Sequence, residues 1–150
     1  MGSDDEGSAV VEFVFLSLLL LIPVVYLVLT LAQVQASAFA AEAVARDVSR
    51  AAVVGGVDAL QDGASYASAE RAARERADAA LAVTLADFGV DSANAHVDLT
   101  CSSTPCLRPG SDVAVTVTID VRLPGIGGLM PRAVVTVDAS GSSPVDGYLP

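Results

Sequence analysis

From Phe13 to Ala32 the chain carries no charged residue, and only Ser17, Pro23, Tyr26 and Thr30 interrupt an otherwise apolar run. A helix rises 1.5 Å per residue, so this run spans about 30 Å, the thickness of a hydrocarbon core. A helix also satisfies its own backbone groups where water is absent. The run therefore predicts a single transmembrane helix. One charge, Glu12, stands directly before it, and the first basic residue of the chain is Arg46.

The 150 residues leave room for one small domain beside that span. There are 8 basic and 18 acidic residues, a formal net charge of −10, and every basic residue is Arg. Such an inventory cannot assemble a basic patch, so nucleic acid is not an expected partner. The two cysteines, Cys101 and Cys106, lie in Cys-Ser-Ser-Thr-Pro-Cys, and the only histidine is His96. A metal site needs more ligands than these. A disulfide closing a tight loop is the simpler reading and implies an oxidising, extracytoplasmic compartment. Two free thiols are the alternative, and they would leave the compartment resting on the membrane segment.

Helical spacing continues beyond the span. Val34, Ala38, Ala41, Ala45, Val48 and Ala52 recur every three or four residues as one apolar stripe, and Glu42 precedes Arg46 by four on its flank. Gly55-Gly56 is the expected stop, giving a helix over about 8–54, roughly 70 Å long. A second, Ala-rich helix is predicted over Ala67–Asp87 and ends at Gly89. The period then changes to two. Val113, Val115, Val117, Ile119, Val121 and Leu123 alternate with smaller or polar residues, marking a half-buried strand. Strands are also expected over Ala95–Cys101 and Arg132–Ala139, with turns at Pro109-Gly110 and over Pro124–Gly128.

The predicted fold class is thus α+β. A long N-terminal transmembrane helix continues into a small head domain with a second helix and a three-stranded antiparallel sheet. In domain terms, 8–54 is the long helix with its transmembrane segment at 13–32. The head occupies 55–139, and a loose, flexible tail is expected over 140–150.

Three readings compete for the N-terminal segment. A cleaved secretory signal could use Ala36-Ser37-Ala38, but no basic residue precedes the apolar run, which is about twice the usual length. A plain anchor is the second reading. The third turns on Glu12, because a carboxylate at the edge of a membrane helix needs a partner. Cleavage between Gly7 and Ser8 creates an amino cation about one helical turn from Glu12. That cation can also face Glu12 of an axially shifted neighbour. Glu12 falls in the first turns of the predicted helix, where the helix dipole favours an acid. A small residue on each side of the cut suits protease access to an extended segment.

Gly7, Ser8 and Glu12, followed by the aliphatic run after Phe13, resemble the processing site of type IV prepilins. Within that group, Gly-Ser-Ala-Val-Val-Glu-Phe before Leu-rich sequence is most similar to the TadE-like pilin-like proteins of tight-adherence systems. The motif match covers about 7–32, and beyond it only the architecture agrees. The resemblance implies a leader, residues 1–7, removed after Gly7 by a membrane prepilin peptidase. It implies a structural minor pilin or pseudopilin in which Glu12 meets the Ser8 amine of an adjacent subunit. Pilin subunits and the pilus assembly machinery are then the expected partners. The cytoplasmic membrane is the expected location, with the head outside and eventual incorporation into an extracellular pilus. Family leaders carry basic residues before the Gly, whereas Asp4, Asp5 and Glu6 stand here, and the charge bias across the span runs against that orientation. The cysteine pair favours it.

Other motifs carry less. Asp87-Phe88-Gly89 matches a kinase triplet without the rest of that signature, and reads as a helix end. Gly125-Ile126-Gly127-Gly128 joins two strands instead of opening a helix, so it is no dinucleotide loop. His96 has no nucleophile or ligand spacing about it. Asp91, Asp98 and Asp112 fit no calcium loop. No convergent acid, base or nucleophile set points to an enzyme, and no catalytic residue, metal or cofactor is expected. The alternative function is a membrane-anchored extracytoplasmic binding module with neither cleavage nor assembly.

Overall fold

The computed structural model describes residues 5–123 and 134–146, with side chains from residue 9 onward. The chain is α+β. Its elements are α1 (Asp5–Gln61), α2 (Tyr66–Asp87), a 3-10 turn (Ser92–Asn94), β1 (Ala95–Cys101), β2 (Asp112–Arg122) and β3 (Val134–Pro144). By contacts the chain divides into two units, Met1–Gln33 and Val34–Pro150. The first is the N-terminal part of α1. The second holds the rest of α1, α2 and the sheet.

Within the second unit the sheet is an antiparallel meander of order β1-β2-β3. Central β2 alternates as its sequence demands, with Val113, Val115, Val117, Ile119 and Val121 buried. Val97 and Leu99 of β1, and Val135 and Val137 of β3, are half-buried on the same inward face. Opposite them α1 buries Ala40, Ala41, Val44, Ala45, Val48 and Ala52. The expected stripe is therefore buried from Ala41 to Ala52, while Val34 and Ala38 are only half-covered. The Glu42–Arg46 pair forms at 2.7 Å on the exposed side.

Helix α1 does not stop at Gly55-Gly56. Both glycines are buried in the helix, and each makes room for a neighbour. A Cβ on Gly55 would run into Arg76 Cγ, and one on Gly56 into Leu107 Cδ1. Close approach outweighs the helix penalty of glycine, about 1 kcal/mol each. The actual stop is Gly63, at φ +86°. There the Gly63 N–H donates to the Leu60 carbonyl and the Ala64 N–H to the Ala59 carbonyl, both at 3.0 Å, in a Schellman closure. The same closure ends α2 at Gly89, φ +65°, as its sequence predicts. The Ser65 hydroxyl opens α2 by accepting from the Ser68 N–H.

The tail does not begin at residue 140 as expected. Residues 140–144 are not loose: β3 runs to Pro144, pairing Gly141 with Val115 and Ser143 with Val113. Val145 follows, 1% exposed, its N–H donating to the Ser111 carbonyl at 2.8 Å. Gly and Ser are used here because the strand lies against the helix backbone. A Cβ on Gly141 would stand 2.8 Å from the Ala45 carbonyl carbon and oxygen. Ser143 and the fully buried Ser49 share a hydrogen bond at 3.2 Å. The expected turn over Pro124–Gly128, the start of the last strand at Arg132, and the tail beyond Asp146 lie outside the described residues. Leu123 follows the end of β2.

Candidate functional site

The first unit presents a helix long and apolar enough to cross a membrane. From Ala9 to Gln33 every residue is exposed except Tyr26 and Thr30, which are half-buried. The exposed set includes Phe13, Phe15, Leu20 and Leu27, at 64–71% exposure. A water-facing surface of that extent is far beyond the apolar patches of soluble monomers, whereas lipid is as apolar as the side chains themselves.

Gly7 and Ser8 lie within the first turns of α1, which begins at Asp5, so the extended segment expected around them is helical. Glu12 is exposed and has no partner among the described residues. Seven positions separate it from the helix start at Asp5. In the uncut chain it is therefore beyond the reach of the helix dipole, which fades within the first turn. In a chain beginning at Ser8 it would stand in the second turn instead. Ser8 and Glu12 are four residues, about 6 Å of helix rise, apart.

Pro23 lies inside α1. Having no N–H, it leaves the Leu19 carbonyl without its helical donor. The Thr30 hydroxyl satisfies itself by donating to the Leu27 carbonyl at 2.9 Å.

In the second unit, Cys101 and Cys106 are joined as a disulfide, with Cα atoms 5.3 Å apart. Cys101 ends β1 opposite Val113, and the loop it closes runs back over α2. There the Cys106 N–H donates to Glu70 Oε1 at 3.0 Å. The buried Ser111 hydroxyl shares its one proton between the Arg108 carbonyl at 2.6 Å and the Cys106 carbonyl at 2.9 Å. Ser102 braces the loop from the other side, its hydroxyl accepting from the Asp112 N–H at 2.8 Å. Leu107, 1% exposed, plugs the loop into the core over Gly56. The hydroxyls of Ser102 and Ser103 are thus partly spent on the loop itself, Ser103 donating to the Pro105 carbonyl.

Between this loop, α2 and β1 lies a cleft of about 310 Å³ lined by Glu70, Arg74, Leu99, Ser103 and Thr104. A second, of about 350 Å³, adjoins it and shares Arg74 and Leu99. Glu70 is engaged by the loop, and Arg74 carries a charge in the first cleft with no partner among the described residues. His96 is exposed on the outer face of β1, away from both. Glu70 and Leu107 escaped sequence reasoning. Their only signal was proximity to the cysteines or position within an Ala-rich helix, and neither implies contact.

Comparison with protein families, curated proteins and solved structures finds no match to this chain.

Proposed function

We propose that this chain is a structural pilin-like subunit, a minor pilin or pseudopilin of tight-adherence type, that assembles through its N-terminal helix. The supporting observation is the exposed, uncharged helical surface of Phe13–Ala32 with Glu12 as its single adjoining charge. In this reading the chain inserts as a single-pass protein of the cytoplasmic membrane with the disulfide-bearing domain outside. A prepilin peptidase removes Met1–Gly7. The new Ser8 amine and Glu12 then set the register between neighbouring subunits, and the apolar helices pack laterally as each subunit leaves the bilayer. The paired cysteines support the orientation, since disulfides persist in oxidising compartments.

Intact mass of the membrane protein tests the processing step. A mature chain beginning at Ser8 is expected, whereas one beginning at Met1 or Phe39 overturns it. Glu12→Ala should be cleaved but assemble poorly, and wild-type fibre yield would remove the pairing role. A membrane-anchored binding module is the second reading, favoured by the cleft around Arg74. An uncleaved, monomeric protein that binds a ligand there would select it.

A further inference from the structure

The polar residues of the span are not scattered. Glu12, Leu16, Leu19, Pro23, Tyr26, Thr30 and Gln33 alternate at spacings of four and three. That is a heptad seam, drifting only about 20° per seven residues around a straight helix. Every polar or helix-breaking residue from Glu12 to Gln33 falls on it except Ser17. Groups that cost free energy in lipid are thus gathered on one line, as a helix–helix contact requires.

Two of these groups complement each other. The Leu19 carbonyl, deprived of its donor by Pro23, points along the helix toward the C-terminus. Tyr26, seven residues on and on the same line, leans back toward the N-terminus as helical side chains do. Within one chain the Tyr26 hydroxyl has no hydrogen-bond partner among the described residues. We propose that α1 associates with a second copy of this chain in the bilayer along this seam, the Tyr26 hydroxyl of each helix donating to the Leu19 carbonyl of the other. The occupant is a second copy because insertion forces two copies parallel, and in parallel register each supplies the donor opposite the other's acceptor. The proposal rests on the membrane span of the preceding reading and is independent of leader removal.

The test is self-association of the full chain in density-matched detergent micelles, by sedimentation equilibrium, with helicity checked by circular dichroism. Wild type should dimerise. Tyr26→Phe, which removes only the hydroxyl, should weaken association about three- to tenfold. Pro23→Ala restores the N–H to the Leu19 carbonyl and should weaken it similarly. The double variant should be no worse than either single one, because each substitution removes the same two symmetry-related bonds. Ser17→Ala, off the seam, should match wild type. A monomeric wild type, a Tyr26→Phe variant unchanged from it, or equal loss with Ser17→Ala overturns the proposal. Intact mass on the same samples separates the two readings: seam-dependent dimers of an uncleaved chain refute processing alone, and cleaved monomers refute the seam alone.

Discussion

Adding one methyl group at Gly141 should destabilise the second unit, although the substitution favours a strand. Alanine restricts the unfolded chain and is better than glycine in a strand interior by roughly 0.5–1 kcal/mol. Against that gain stands the geometry. The new Cβ would meet the Ala45 carbonyl carbon and oxygen at 2.8 Å and the Arg46 nitrogen at 3.0 Å, all backbone atoms of α1. Ordinary contact begins near 3.4 Å, so the strand and helix must part by 3.4 − 2.8, about 0.6 Å, at this point. A gap of that size forfeits roughly a quarter to a half of the dispersion well for each atom pair along the seam. It also lengthens the nearby Ser49–Ser143 hydrogen bond, now 3.2 Å. Overpacking of this kind costs about 1–3 kcal/mol, so with the gain subtracted the net loss should centre on about 1 kcal/mol. With a urea slope of about 1–3 kcal/mol/M, the midpoint should fall by up to roughly 1 M. Urea titration of the full chain in mild detergent, followed by circular dichroism at strand wavelengths, measures it. Ser142→Ala, next door but exposed, is the control and should lie within about 0.5 kcal/mol of wild type. A Gly141→Ala variant as stable as wild type would refute the claim that helix and strand backbones touch here.

Replacing both Cys101 and Cys106 by Ser should cost about 2 kcal/mol, the loop-closure entropy of so short a ring, read as a lower urea midpoint that reductant no longer changes. Glu70→Ala strands the Cys106 N–H and should cost about 1–3 kcal/mol in the same titration, whereas Glu70→Gln keeps an acceptor and should lose less. Gly63→Ala, at φ +86°, should cost about 1–2 kcal/mol even though nothing lies within 4 Å of the new Cβ. Equal stability of that variant would mean α1 ends in some other way.

Where side-chain periodicity carried the information, sequence and structure agree closely. The alternation of Val113 to Val121 is reproduced in the burial of β2, and the predicted β1, Ala95–Cys101, has the observed bounds. The cysteine spacing pointed to a disulfide that the fold forms. Small residues are where the reading failed. Gly55-Gly56 looked like a helix stop, and Ser140 onward looked like a loose tail. A glycine that breaks a helix and one that admits a neighbour are the same letter. Only the positions of Arg76, Leu107 and the Ala45 backbone distinguish them. The Glu70 clamp was hidden for a related reason, since it joins residues 36 apart in sequence.

Of the candidate assembly site, Gly7, Ser8 and Glu12 were legible as a motif, and the apolar run as a possible span. The early start of α1 at Asp5, which carries Glu12 out of the helix dipole's reach, was not. Composition and period by themselves determined the membrane-length helix, the α+β class and the inward face of the sheet, because each depends on the pattern of burial along one element. Tertiary structure alone decided where α1 ends, how far β3 runs and what Glu70 holds. Those outcomes depend on how closely two backbones approach, which no single element encodes.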